Sequence, residues 1–210
     1  NAGYTTLMTG KWHLRSNPVD LGFSRYFGHL SGATNFFHGD NSFRLGKETF
    51  KVPKDDFYTT DANTDYAIRF LEETKDEKKP FLLYIAYNAP HYPLQAHKKD
   101  IDKYRGRFSE GWDVLRRKRY KRVKELGLLG GDWPLTPRPK GVPSWDSLSE
   151  KDRKWEAYTM EVYAAMIDRV DQNIGRLMKK IDTLGASENT LFMFLSDNGG
   201  CPFQRTKTKR

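Results

Sequence analysis

The chain has 210 residues, enough for an ordinary globular domain with a core of its own. Apolar residues make up 37% and aromatics 14%, which excludes a disordered chain, while ten prolines and seventeen glycines point to heavy loop content. The net charge of +9 raises nucleic acid as a partner, but much of the excess is local: residues 116–124 read RRKRYKRVK, and the final RTKTKR adds four more cations.

We read the first basic run as a solvated helix face that also attracts acidic partners, with no nucleic acid expected. No run of about eighteen apolar residues occurs, so no transmembrane segment is expected. The single cysteine, Cys201, excludes an internal disulfide and a cysteine-rich zinc site. The text opens Asn-Ala-Gly without an initiator Met or an apolar leader, so any targeting segment is expected to lie outside it.

In chain order, GYTTLMTGKWHL is read as a strand, or the end of a helix–strand connection, followed by an active loop at Lys11, Trp12 and His13. Residues 14–59 are irregular and rich in Gly, Asn, Asp and aromatics, a region expected to line a site or hold short strands. Residues 60–74 place Ala62, Tyr66, Ala67, Phe70 and Leu71 on one helical face, with Thr60 or Asp61 as cap. FLLYIAY, residues 81–87, is apolar at both parities. It predicts a strand of a parallel sheet with neither face solvated. A proline-stiffened loop, NAPHYPLQAHKKD, follows it.

Residues 109–126 are expected to be a basic helix, and residues 127–145 a long turn-rich excursion. Ser149 and Asp152 resemble a capping box. The helix after them sets Val162, Met166, Val170, Ile174, Leu177 and Ile181 on a core face, and Gly185 closes it. TLFMFLS, residues 190–196, predicts a second buried strand, delivered into Asp197-Asn198-Gly199-Gly200. Apolar strands separated by helices give an α/β fold, a mostly parallel sheet sandwiched by helices. Sites in such folds lie outside the carboxyl ends of the strands. The polar clusters at residues 88–91 and 197–198 fall there.

Asp197 and Asn198 offer hard oxygen donors suited to Ca²⁺, with Mg²⁺ less favoured, although the same residues also suit an Asx-turn. Lys11 and His13, one residue apart, can meet one anion if the chain is extended, and His91 sits between prolines that limit its motion. A lysine, two imidazoles and a divalent cation together suit the transition state of a sulfate or phosphate transfer. His29, His38 and His97 receive no assignment, and Cys201 has no evident base partner.

At these residues the chain resembles the type I sulfatases, the arylsulfatase-like family with an alkaline-phosphatase-like core. GYTTLMTGKWHL, PFLLYIAYNAPHYPLQA and TLFMFLSDNGG match the family's signatures in order. The resemblance implies a sulfuric ester hydrolase using a formylglycine nucleophile and Ca²⁺ on a sulfated small molecule or glycan. It implies that Lys11 contacts the sulfate and formylglycine side, and that His13 hydrogen-bonds the formylglycine hydrate. By the same resemblance His91 contacts sulfate or protonates the leaving oxygen, and Asp197 and Asn198 ligate Ca²⁺. An extracytoplasmic location is implied too.

Three parts of the family pattern have no counterpart here: the paired aspartates near the N-terminus, the Cys/Ser-x-Pro-x-Arg motif, and the late sulfate-contacting lysine, a role that Lys207 and Lys209 do not fill by pattern. The expectation is therefore a partial catalytic domain over residues 1–200, an incomplete core, and a basic tail over 201–210. Such a piece is expected to be inactive by itself. A phosphatase or phosphodiesterase of the same superfamily and a non-catalytic polyanion-binding module remain the alternatives.

Overall fold

The computed structural model describes residues 2–200. Cys201, Lys207, Lys209 and the rest of the basic tail lie outside the described residues. The chain forms two compact units, one made of Asn1–Pro93 with Asp171–Arg210, the other of Leu94–Val170.

The first unit is built on a five-stranded sheet. β1 (Thr5–Gly10) lies between β2 (Arg25–His29) and β5 (Phe81–Ala86), parallel to both, while β3 (Phe43–Leu45) and β4 (Glu48–Thr49) extend the β2 side as antiparallel strands. The sheet is thus mixed, with the parallel part holding the apolar runs and the short strands supplied by the irregular region. Helix α1 (Thr59–Thr74) covers one face. Its Ala62, Ala67, Phe70 and Leu71 pack with Leu7, Phe27, Phe43 and Phe57, and with Leu177 and Ile181 of α4 (Glu150–Thr183). Burying each of the larger side chains contributes about 1.5–3 kcal/mol. The Tyr66 ring stacks on Phe27 at 3.7 Å between centroids.

Four sequence expectations are corrected here. Helix α1 starts one residue earlier than expected, with Tyr58 rather than Thr60 or Asp61 as its N-cap and no side-chain cap bond. Asp61 lies in the first turn and accepts from the Asn173 amide at 2.7 Å, so tertiary pairing, not capping, holds its carboxylate. Strand β5 is not shielded on both faces: Leu82 and Tyr84 are 53% and 51% exposed, while Phe81, Leu83 and Ile85 face the core that α1 covers. Residues 190–196 are not a strand. They follow a 3-10 turn, Ser187–Asn189, as irregular chain, with Leu191, Met193, Phe194 and Leu195 more than two-thirds exposed. Apolar side chains favour burial, but a strand also needs a neighbour for its N–H and C=O groups, and no described strand pairs with this one. On the α4 face Ile174 is only half-buried, and the buried position beside it is Asn173, tied to Asp61.

The second unit is helical. It holds α2 (Lys98–Ile101), α3 (Gly111–Glu125) and about the first six turns of α4, up to Val170. Asp152 N–H donates to Ser149 Oγ at 3.1 Å, the cap anticipated from the sequence. The Lys103 ammonium bridges Asp100 and Asp168 at 2.9 and 2.7 Å. Gly111, at φ +78°, opens α3 beneath the Trp145 indole, where a Cβ would sit 2.1 Å from the ring. No helix among the described residues is long and apolar enough to cross a membrane.

Candidate active site

Three loops leave the carboxyl edge of the parallel strands together. Gly10 ends β1 in register with Ala86 of β5, so the loop carrying Lys11 and His13 starts beside the loop carrying Asn88 and His91. On the other side β2 ends at His29, which leads into Ser31 and Gly32. The first loop is gripped from both neighbours: Lys11 N–H donates to Ala86 O at 2.9 Å, and Trp12 N–H donates to His29 O at 3.0 Å. The buried Tyr26 hydroxyl donates to Gly10 O at 3.1 Å, and burial drives its phenol well above the ordinary range.

Two glycines permit that convergence. Gly10 has φ +105°, and a Cβ there would lie 2.1 Å from the Ala86 carbonyl oxygen. A Cβ on Gly28 would lie 1.9 Å from the Gly10 carbonyl oxygen. The obstacles are backbone, which cannot rotate away. His13 itself sits at φ +59°, a conformation that side chains other than glycine rarely adopt. Its ring lies over Gly32, where a Cβ would approach Nε2 to 2.5 Å. Strain held at a position of this kind is characteristic of functional loops.

Beside it, His91 N–H donates to Asn88 O at 2.8 Å, closing a turn. The His91 Nδ1 lies 2.6 Å from the Tyr92 carbonyl oxygen, so Nδ1 carries the proton and Nε2 is left for a ligand. Asn88 is buried with its Oδ1 unpartnered among the described residues.

His29, unassigned from the sequence, is fully buried under this edge. Its Nδ1 bonds Ser31 O and Oγ at 3.0 and 3.1 Å, and Ser31 Oγ donates to Asp40 at 2.7 Å. Burial lowers its pKa to about 4, with the Asp40 charge opposing the shift and Lys11 and His13 adding to it. The imidazole is therefore neutral near pH 7. Burial pushes the Asp40 carboxyl up, but hydrogen bonds from Ser42 and Ser31 more than offset that and hold it below the usual range. His29, Gly28 and Gly32 were missed as site residues. The signal available was the pair of small residues, Gly28 and Gly32, flanking a histidine just after a strand.

Asp197 and Asn198 sit in an exposed turn after residues 190–196. Ser196 Oγ donates to Asn198 O at 2.6 Å, and Asn198 Nδ2 donates to Gly199 O at 2.8 Å. Lys11, His13 and His91 are thus carried by adjacent strand ends of one sheet, whereas Asp197 and Asn198 stand on chain that the sheet does not hold. A carboxylate and a carboxamide suit a hard cation, but two donors do not complete a coordination sphere, and no group of three or more His, Cys, Asp or Glu that would hold a metal occurs among the described residues.

The sulfatase family model matches residues 1–209. The chain belongs to the sulfatase family. An uncharacterised sulfatase of Schizosaccharomyces pombe is 37% identical over 94% of this chain and 39% of its own length. An arylsulfatase of Klebsiella aerogenes is 36% identical over 97% of this chain and 46% of its own. The chain therefore spans less than half the length of these curated sulfatases. A solved structure, that of a protein in complex with its substrate D-glucosamine-2-N,6-O-disulfate, superposes with a TM-score of 0.57 at 23% identity, covering 90% of this chain and 46% of the other. The fold is the α/β, alkaline-phosphatase-like sulfatase fold, with a mixed sheet and flanking helices.

Proposed function

We propose that the chain carries part of the catalytic site of a sulfuric ester hydrolase, with Lys11, His13 and His91 meeting on the sulfate group of a monoester. The observation that carries this reading is the Gly10–Ala86 register, which starts both loops from neighbouring strand ends in a sulfatase-family chain. The Lys11 ammonium counters charge on the transferring sulfuryl oxygens, where a fixed cation costs no reorganisation. His91, with Nδ1–H held by the Tyr92 carbonyl, presents Nε2, which in the imidazolium form donates its N–H to sulfate or passes that proton to the leaving oxygen. His13, fixed over Gly32, orients the attacking group by hydrogen bonding.

Turnover also needs a nucleophile, and by family resemblance that is a formylglycine; the motif that gives rise to one does not occur in these 210 residues. We therefore propose that this piece alone does not turn over. Asp197 and Asn198 belong to the proposal as two ligands of a Ca²⁺ site, and no step is routed through that ion. The relatives' printed activities support a sulfated small molecule or sulfated glycan as substrate, and the parent is proposed to be extracytoplasmic.

Two measurements test the reading. In this chain, titration with inorganic sulfate should move the ring NMR signals of His13 and His91 together, and Lys11→Ala should weaken that response. Rings that do not respond reject the convergence. In a longer parent protein, aryl sulfate should turn over faster than aryl phosphate, and Lys11→Ala or His91→Ala should each cost about 100-fold or more in kcat/KM. Faster phosphate turnover would favour the phosphatase alternative.

A further inference from the structure

We infer that the exposed face of α3 is a docking surface for a sulfated polysaccharide chain, formed by residues other than Lys11, His13 and His91. Residues 127–144 pack along one side of the helix. Arg116 donates to Thr136 Oγ1 at 2.6 Å, Arg138 pairs with Asp113 at 2.9 Å, Trp112 Nε1 donates to Pro143 O at 3.1 Å, and the Tyr120 hydroxyl donates to Trp133 O. The other sides keep Arg117, Lys118, Arg119, Lys121, Arg122 and Lys124 exposed.

Among the described residues two carboxylates pair with these six cations, and Asp113, paired with Arg138, also feels the Arg117 charge. Glu110 holds Lys118 at 2.5 Å, and Glu125 is shared between Lys121 at 3.9 Å and Arg122 at 3.5 Å. Arg117 and Arg119 form no ion pair among the described residues, so the face carries a surplus of about four positive charges within two to three helical turns. A charge density of this kind is self-repelling unless an anion covers it, and it suits a ligand with repeated charges rather than a single small anion.

The second observation is aromatic. Trp133, whose carbonyl is tied to Tyr120 of the helix, is itself 69% exposed. An exposed flat ring on the segment packed along the basic helix can take the C–H face of a sugar ring while the cations take its sulfates. Binding of single-stranded nucleic acid uses successive stacking platforms. On α3 the other rings are occupied: Lys124 lies over Tyr120 at 5.5 Å, and Trp112 packs edge-on against Trp145 at 4.9 Å. The geometry fits a polysaccharide better. The sulfated class rests on the sulfatase reading, and it deepens that reading by giving a polymeric substrate a second point of attachment.

The test is binding of heparin, of unsulfated dextran and of a thirty-nucleotide poly(dT) to the full chain at 50 and 200 mM salt. Heparin should bind, losing roughly 10- to 100-fold in affinity across that range, and dextran should not. The triple variant Arg117→Glu, Arg119→Glu, Lys121→Glu should lose at least 10-fold with unchanged helical signal and melting temperature. Trp133→Ala should lose a smaller factor that persists at 200 mM salt. Equal binding by the triple variant overturns the proposal, as does poly(dT) binding more tightly than heparin. A chain ending at Gly200 that no longer binds would assign the effect to the basic tail and overturn it too. Loss of heparin binding in Lys11→Ala/His91→Ala, with the α3 variant binding normally, would place the ligand at the catalytic loops. That result removes the docking surface but leaves the sulfatase reading standing, whereas heparin binding on α3 with no aryl sulfate turnover by the parent does the reverse.

Discussion

Residues 5–10 and residues 190–196 are comparable on paper: each is a short uncharged run with apolar side chains at its centre, delivered into a polar turn next to glycine. In the structure they end up as opposites. β1 has a parallel partner on each side and no fully exposed residue, and the loop beyond it is gripped by Ala86 and His29. Residues 190–196 have no strand partner among the described residues, and their apolar side chains face solvent. The difference lies in the backbone. Hydrophobicity rewards burial roughly in proportion to area, but a buried strand is stable only when neighbours also accept its N–H and C=O groups. Where a sheet supplies those neighbours, the polar turn beyond it becomes a fixed site, and where it does not, the turn has no frame.

The largest expected effect comes from attacking the held end. Gly28→Ala drives a Cβ into the Gly10 carbonyl at 1.9 Å, and Gly10→Ala drives one into Ala86 O at 2.1 Å. Either should cost about 4 kcal/mol or more, or prevent folding, because only backbone movement relieves the clash. The control is Gly22→Ala, which has a similar φ of +106° and nothing within 4 Å, so it should cost only about 1 kcal/mol. Urea titrations of the three variants decide the matter. If Gly28→Ala and Gly22→Ala cost the same, the close approach of β1 and β2 is not what fixes the loop.

A smaller effect, about 3 kcal/mol, should come from the pH dependence of the same region. His29 has a folded pKa of about 4 against an ordinary 6.5, depressed by burial. Between these values the unfolded chain binds a proton that the folded chain refuses. The contribution is therefore fully present above pH 6.5 and is lost as pH falls from 6.5 to 4. Asp40, Lys11, His13, Ser31 and the Phe43 ring surround the imidazole, and His29→Phe should flatten the slope in that window while carboxylates set the rest. Denaturant midpoints at pH 7, 6, 5 and 4 measure it. An unchanged slope in His29→Phe would show that another group carries the dependence.

The sequence made β1, β5, α1, α3 and α4 legible because each rests on local periodicity or a local cap. Ser149 and Asp152 form the anticipated contact, and the 3.6-residue pattern of α4 places Val162, Met166, Val170, Leu177 and Ile181 in cores. It also put Lys11, His13 and His91 at strand ends, since a loop after an apolar run in an α/β chain has one place to go. Relations between segments were not legible. Asn173 takes a buried position on α4 beside Ile174, and its amide donates to Asp61, 112 residues away. The glycines at 10 and 28 matter through each other's backbone, and His29 through Ser31 and Asp40. The apolar runs at 81–87 and 190–196 report composition, but solvation depends on what lies against them, which neither run encodes.

The smallest expected effect belongs to the unheld segment, and there a near-zero result is informative. Leu191→Asp and Phe194→Asp place charges on side chains that are 84% and 82% exposed, so each should change stability by no more than about 0.5 kcal/mol. The same changes should lower self-association, because residues 190–196 combine apolar and aromatic side chains with no charge, and exposed runs of that composition template pairing between chains. Hydrogen exchange separates the regions directly: the amides of Leu7, Met8 and Thr9 should be protected close to the global limit, and those of residues 191–195 should exchange at nearly unprotected rates. If Phe194→Asp instead cost several kcal/mol, residues 190–196 would be buried in solution. The Asp197–Asn198 turn would then have a frame like the one that fixes Lys11 and His13.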